Sequence, residues 1–475
     1  MSEALGVQAE AKPGMRGCFY AFVSRVDISF EDTEYLAPLR ALVGPELSRG
    51  GLLDAIHGLS TRSLSQSVTV IFDAVAFDEF DGRRPLPEAP LDMPLLKIEV
   101  TFGYLVALAA IDLGLMFDEL PSEWSEWYSD AEMVDDLDLG WIYPFSWRYG
   151  EPPPPPFQRV RLFEGRWVRL DVVPFDGGIR VEAAVPAADD ADMAYVPAAE
   201  GQLDLILGIS QAEEDALVQA YYITGPAAPR ALIGPYDDLC IEAVDAGQAS
   251  LVSFYGADNQ THIFFDVGHP LWFNAGSRPN GAVLNYRPAN PNAVVVLSHW
   301  DFDHYFEGKR RAVLHGLTWV VPAVPSAPNA KKFANSLPNL VTLPVGSTLR
   351  IGHLHLERAS GAQSDPNNSG IVGLWQDEQG HRVLLTGDAA YGFVPPHMRA
   401  NLTALTIPHH ASLTDHDVLN VPPPAGQQGK AVACAGQNNR YGHPVAAVLG
   451  DHGANWVVDV TGNAAGYARG NKRLR

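Results

Sequence analysis

The chain is 475 residues long, 47% hydrophobic and 19% charged, with a formal net charge of -23. This is a globular composition with room for more than one domain, each able to bury its own core. The longest apolar window, Phe102 to Met116, is broken by Asp112 and is too short to span a bilayer, and Glu3, Glu10, Lys12, Arg16 and Arg25 leave no charged-then-apolar leader. No membrane partner and a cytoplasmic location are therefore expected. Cys18, Cys240 and Cys434 are odd in number and far apart, which excludes a disulfide framework and a Cys-rich zinc site.

Residues 231–475 hold 17 Lys and Arg against 18 Asp and Glu, which leaves 16 against 38 in residues 1–230. The acidity belongs to the amino-terminal half, so a boundary near residue 230 is expected. The reading is an acidic α+β domain over 1–150, a proline spacer with a β-rich connecting segment over 151–230, and a separate α/β domain over 231–475.

In chain order, Asp32 or Thr33 is placed to cap a helix whose Leu36, Leu39, Leu42 and Val43 share a face. Ser67 to Phe77 and Leu95 to Phe102 are β-branched and aromatic enough for strands, and Tyr104 to Met116 reads as a buried helix. Asp118 to Asp138 holds nine acids and no base, interleaved with Trp124, Trp127 and Tyr128. It is either a solvated acidic loop or, with the tryptophans of segment 118–147, a docking surface for a basic partner or an internal mimic of nucleic acid. Five prolines within Glu151 to Phe157 form a stiff polyproline spacer. Val160 to Leu162 and Trp167 to Val173 alternate as strands, and Asp204 to Ala220 reads as a helix.

From Leu239 the pattern becomes a strand, a tight turn at Gly247, a second strand, and a third that ends in Asp266 and Gly268. Ala293 to Leu297 is an apolar run of the kind buried on both faces, and it stops at His299, Asp301, Asp303 and His304. Two imidazoles and two carboxylates within six residues repel and desolvate one another in a packed site; a divalent cation resolves the conflict. Further on, Val383 to Leu385 runs into Thr386-Gly387-Asp388, Leu405-Thr-Ile-Pro leads to His409 and His410, and Asn438-Asn-Arg-Tyr-Gly leads to His443. His353 and His355 alternate with Leu354 and Leu356 as strand residues and are not read as ligands.

This ordered series, with Asp245-Ala-Gly-Gln-Ala-Ser and Asp365-Pro-Asn-Asn-Ser-Gly, resembles the metallo-β-lactamase fold and, within it, the soluble hydrolase domain of ComEC-type DNA-uptake proteins. The resemblance covers about residues 237–470. It departs from the fold's usual His-x-His-x-Asp-His loop, since Asp301 stands at the second His. Ala411 likewise replaces a Gly after the His pair.

The resemblance implies an αββα metallo-β-lactamase sandwich over 231–475 and two divalent ions, Zn²⁺ or Mn²⁺. Asp301 in place of the usual second His raises the carboxylate share of the loop, which brings the harder Mn²⁺ level with Zn²⁺. It assigns His299 and Asp301 to one ion, Asp303, His304 and a late His to the other, and Asp388 between them. His409 is favoured over His410 as ligand or proton donor, His410 either shares that role or merely satisfies a backbone carbonyl, and His443 either completes the second site or touches the substrate. Asp303, His409 and His443 form the implied catalytic set, Asp266 orients a ligand His, and Arg440 either stabilises phosphate charge or lies on the surface. The implied activity is phosphodiester hydrolysis, with DNA as the leading substrate and the acidic half gating access or recruiting a partner. A small-substrate hydrolase, such as a cyclic nucleotide phosphodiesterase or a lactonase, is the alternative; a non-catalytic adaptor stabilised by metal is the third reading. Acidity opposes a nuclease surface, but Lys309-Arg310-Arg311, Lys331-Lys332, Arg469, Lys472, Arg473 and Arg475 would serve as a basic rim.

Overall fold

A computed structural model describes residues 15–28, 47–56, 64, 66–76, 95–112, 162–185, 196–232, 234, 236, 238–279, 286–413, 420–426, 429–462 and 466–475. Six antiparallel strands from the amino-terminal half close into a barrel: β1 (Gly17–Ile28), β2 (Ser67–Ala76), β3 (Leu95–Thr101), β4 (Trp167–Pro174), β5 (Arg180–Val185) and β6 (Val196–Leu207), in the order β1-β2-β3-β5-β6-β4. Val23, Val26, Val68, Val70, Phe72, Leu96, Ile98 and Leu170 belong to the core that fills it, and β1 meets β4 so that no edge is left unpaired.

Two expectations are corrected here. Strands β4, β5 and β6 do not form a connecting segment after residue 150, because they pair with β1 and β3 to complete one barrel. The helix expected from Asp204 begins only at Gln211: β6 runs to Leu207, and Ser210 with Glu213 forms a reciprocal capping box that fixes the helix start. The strands expected over Ser67–Phe77 and Leu95–Phe102 are β2 and β3, and helix α1 (Phe102–Asp112) follows β3 directly. The helix expected after Asp32, the acidic Trp-rich segment 118–147 and the proline run lie outside the described residues.

Helix α2 (Gln211–Ala220) leads to a two-sheet domain that opens with β7 (Ala231–Leu232). One sheet contains β8 (Cys240–Ala243), β9 (Leu251–Tyr255), β10 (Thr261–Val267), β11 (Ala289–Val296), β12 (Thr318–Pro322) and β13 (Leu340–Leu343). The other joins β7 to β14 (Thr348–Ile351), β15 (Leu354–Arg358), β16 (Ile371–Gln376), β17 (Arg382–Leu385), β18 (Ala404–Thr406), β19 (Lys430–Ala433) and β20 (Val457–Val460), while β21 (Lys472–Arg473) pairs beside β8. Ile241, Phe254, Ile263, Phe265, Val296, Leu356, Trp375, Val383 and Leu385 form the core between the sheets. Helices α3 (Phe302–Arg310) and α4 (Pro328–Ser336) cover one outer face, and α5 (Ala446–Gly453) covers the other. This is the αββα sandwich that the metallo-β-lactamase resemblance implies.

Each sheet has a parallel half, β10 to β13 in one and β17 to β20 in the other. The metal-loop, Thr-Gly-Asp and His-His motifs all follow the carboxyl ends of these parallel strands. That is where an α/β sheet leaves a crevice for chemistry. The barrel lies against the same region: its outward-facing Tyr20, Phe22, Ile71 and Trp167 share a core with Phe302, Tyr305 and Phe306 of α3. Among the described residues no helix is long and apolar enough to cross a membrane.

Candidate metal centre

The loop after β11 is fixed before any ligand is considered. Asp301 stands at the amino-terminal end of α3, its carbonyl accepting from the backbone N–H of His304 at 2.9 Å. The carbonyl of Asp303 accepts from Ser250 N–H at 2.8 Å. Gly268 lies so close to that carbonyl that a Cβ would sit 1.6 Å from its oxygen, so no other residue fits there.

Asp266, with φ of 58°, turns its carboxylate beneath the loop. Its Oδ1 accepts from Ser298 N–H at 2.7 Å, and its Oδ2 accepts from Ser298 Oγ at 2.9 Å and from His304 Nδ1 at 2.8 Å. His304 therefore carries its proton on Nδ1 and presents a bare Nε2 to the site. Ser298 Oγ, having donated to Asp266, accepts from His299 Nδ1 at 3.0 Å, which leaves His299 Nε2 bare as well. His410 follows the same rule, with Nδ1 donating to the Cys434 carbonyl at 2.6 Å. One second-layer acceptor thus sets the tautomer of each ring.

Asp388 meets these rings from the opposite sheet. Gly387 before it has φ of 55°, and a Cβ there would lie 2.5 Å from Ser298 Cβ, so the Thr-Gly-Asp turn needs glycine. Asp388 Oδ1 is 3.1 Å from His304 Nε2, and Oδ2 is 3.7 Å from His299 Nε2 and 3.6 Å from His409 Nε2. Burial by itself would raise the Asp388 pKa, but His304, His409, His410 and His299 hold it well below the usual carboxylate range. Asp388 and Asp266 likewise favour a proton on His304 against the opposing effect of burial, and at Nε2 a bound cation would take that proton's place.

His299, His304 and Asp388 form one group of donors close enough to share an ion, and Asp303, His304 and His410 form a second. Within these groups His299 Nε2, His304 Nε2, His410 Nε2 and Asp388 Oδ2 are buried with no hydrogen-bond partner, although they face one another at 3 to 4 Å. Buried polar atoms are seldom left unpaired. Convergent lone pairs without donors between them are what a divalent cation requires, so the residues present fit a metal centre.

Of the residues expected at the site, His299, Asp303, His304 and Asp388 converge. Asp301 Oδ2 is 3.4 Å from His299 Nε2 at the rim of the cluster. His410, for which a backbone carbonyl was one of the expected partners, makes that bond and also enters a donor group through Nε2, 3.2 Å from Asp303 Oδ2. His409 is adjacent, and both residues adopt positive φ, at 47° and 53°, followed by Ala411 at 62°. His443 is held by Asn439, which accepts its backbone N–H at 3.1 Å. Its Nε2 faces an unexpected residue, Asp27 of the barrel, at 3.4 Å from Oδ1.

Arg25 and Asp27 on β1 are the site residues that sequence reasoning missed. Arg25 donates from Nε to Asp27 Oδ2 and from Nη1 to Asp303 Oδ2, its Nη2 is 3.2 Å from His409 Nε2, and its guanidinium lies over the Tyr441 ring. Burial would raise the Asp303 pKa, but Arg25 and then His410 and His304 bring it far below the ordinary value. Asp27 Oδ1 is buried without a hydrogen-bond partner, and burial raises the Asp27 pKa despite Arg25.

Most of the basic residues expected to rim the site are engaged within the protein. Arg310 and Arg311 both donate to buried Glu307 at 2.8 Å, and Lys331 donates to the Tyr222 carbonyl at 2.5 Å. Arg469, Lys472 and Arg475 pair with Asp245, Asp459 and Asp377. Arg440 reaches Glu99 of the barrel, at 3.5 Å, from a half-exposed position.

No family model and no curated protein matches this chain. Among solved structures, the chain is similar to CmlA, a diiron beta-hydroxylase from Streptomyces venezuelae, with 11% identity, 97% of this chain and 100% of that one covered, and a TM-score of 0.32. The metallo-beta-lactamase fold protein YhfI from Bacillus subtilis is 13% identical, over 50% of this chain and 100% of its own, with a TM-score of 0.31. Zn(2+)-bound PqqB from Methylobacterium extorquens is 10% identical over 50% and 99%, with a TM-score of 0.32.

Proposed function

We propose that the protein is a metal-dependent hydrolase of phosphodiesters. The observation that carries this is the set of buried, unpartnered donor atoms on His299, His304, His410 and Asp388, with Asp303 beside them. A divalent ion, Mn²⁺ or Zn²⁺, held there supplies a nucleophile at neutral pH and neutralises charge on a phosphate group. Asp266, Ser298 and the Cys434 carbonyl keep the ligand rings in the required tautomer. His409 and His443, on the barrel side of the cluster, are the residues we assign to substrate contact or proton transfer. The choice of a phosphodiester, with DNA first, is supported by the ComEC-type order of motifs.

The engaged state of Arg310, Arg311, Lys331, Arg469, Lys472 and Arg475 favours a second reading, hydrolysis of a small substrate such as a cyclic nucleotide or a lactone. Nucleic-acid binding rests on free cations and weakens steeply with salt, whereas a small substrate responds little. The test is Mn²⁺- and Zn²⁺-dependent hydrolysis of bis(p-nitrophenyl) phosphate, single-stranded DNA and a cyclic nucleotide over a salt series, with Asp388→Asn and His304→Gln as controls. Hydrolysis of a diester that disappears with the metal in both variants supports the proposal. A metal-loaded wild type that cleaves no phosphodiester refutes it.

A further inference from the structure

The amino-terminal barrel reaches into the metal centre through two adjacent side chains of opposite charge. How β1 delivers them is visible in its register. Tyr20 and Phe22 face outward toward the sandwich, whereas Ala21 and Val23 face the barrel interior. Continued alternation would send residues 25 and 27 inward with Val23. Instead, pairing with β2 slips between Val23 and Arg25, so that Val26 is the next inward residue. The bulge reverses the strand's facing and aims Arg25 and Asp27 at the centre, a placement typical of bulges beside functional sites.

We propose that Arg25 is a built-in second cation of this centre, so that the protein holds one divalent ion where its donors resemble a two-ion site. The inference rests on the metal-centre reading above and concerns how many ions it takes. His304 belongs to both donor groups, but its Nδ1 is committed to Asp266 and its Nε2 has one lone pair, enough for one ion. Arg25 makes its hydrogen bonds to Asp27, Asp303 and His409 and not to the group of His299, His304 and Asp388. In the other group, Asp303 Oδ2 is the same atom that accepts from Arg25 Nη1 and faces His410 Nε2. His409, the nearest substitute ring, turns its Nε2 to Arg25 Nη2. A second divalent ion would therefore share a carboxylate with a guanidinium, two like charges side by side where water is excluded. Tyr441 beneath the guanidinium and Asp27 on its Nε hold Arg25 in place.

The test is metal stoichiometry. The full chain is stripped with chelator, reloaded with Mn²⁺ and desalted; bound metal is measured by mass spectrometry, and spin coupling between ions by electron paramagnetic resonance. Wild type is expected to hold one equivalent with an uncoupled signal. The double variant Arg25→Met with Asp27→Asn, which removes the cation without stranding a buried carboxylate, should take up a second equivalent and show a coupled pair. Arg25→Lys should remain at one. If the double variant fails to fold by circular dichroism, wild type and Asp303→Asn decide: a one-ion centre keeps its equivalent in Asp303→Asn, whereas a two-ion centre loses one of two. Two tightly held ions in wild type overturn the role of Arg25 and leave the metal centre standing. No bound ion in wild type overturns both.

Discussion

Asp266→Asn tests the acceptor that sets the His304 tautomer directly and the His299 tautomer through Ser298. The substitution keeps size and shape, and Asn tolerates the positive φ of 58° that position 266 adopts. Asn also keeps one oxygen to accept Ser298 N–H. What changes is Oδ2, which accepts from both Ser298 Oγ and His304 Nδ1. An amide NH₂ in that place meets a ring N–H donor head on. His304 must then move its proton to Nε2, the atom that faces Asp388, or break the contact. Loss of such an outer partner lowers metal affinity about 10- to 100-fold, or roughly 1.4 to 2.7 kcal/mol. Competition of the reloaded protein against a chromogenic chelator measures this directly, with circular dichroism to confirm the fold. A folded Asp266→Asn protein whose metal affinity stays within about twofold of wild type would refute the tautomer argument.

Four further outcomes follow from packing and charge. Gly268→Ala must displace the carbonyl of Asp303, since its Cβ would lie 1.6 Å from that oxygen; a loss above about 3 kcal/mol is expected, together with loss of metal, in denaturant melts. Gly276→Ala, where nothing lies within 4 Å, should be silent in the same assay. Asp73 of β2 is fully buried, accepts from Asn329 of α4 through its backbone N–H at 2.9 Å and Nδ2 at 2.8 Å, and burial pushes its pKa up to about 7 from 3.8. The folded protein keeps a proton that the unfolded chain releases, so the stability tied to this proton is fully present below about pH 4 and fades as pH rises through 7, on the order of 4 kcal/mol in all. Asp73→Asn should flatten that decline, which denaturant midpoints at about pH 5 and about pH 8 will show; an equally steep decline in the variant contradicts the assignment. Glu307→Gln removes the buried negative charge that Arg310, Arg311 and His269 face and should cost about 3 kcal/mol, read as a lowered thermal midpoint.

The metal loop was legible because each of its signals is local. A buried parallel strand, an abrupt change to donors and a helix start occur within Ala293 to Gly308, and the structure keeps them contiguous in β11 and α3. Thr386-Gly387-Asp388 is readable for the same reason. The choice between His409 and His410 was not: consecutive residues at positive φ break the alternation that would send one ring in and the other out. Barrel closure was hidden as well, since β3 pairs with β5 across a stretch that includes the acidic and proline-rich segments, and composition there suggested a boundary. Arg25 and Asp27 were the deepest omission. In Ser-Arg-Val-Asp-Ile they read as the wet face of an ordinary strand, and their partners Asp303 and His409 lie 278 and 384 residues away from Arg25.

The placement of this pair also separates two roles of the acidic half. Residues 1–230 carry nearly all of the net charge, yet what the described barrel brings into the centre is one guanidinium and one carboxylate, which sum to zero. The field of the acidic half therefore acts on the surroundings of the protein, through solubility and the approach of charged molecules, and not as a local excess at the metal ligands. Local control rests on geometry. The register slip in β1 sets the facing of Arg25, Arg25 holds Asp303, and Asp303 lies beside His410 in the cluster. A substitution that restored regular β1–β2 pairing would turn both side chains into the apolar barrel core, away from Asp303 and His409, so the slip is tied to the fold of one domain and to the electrostatics of the other.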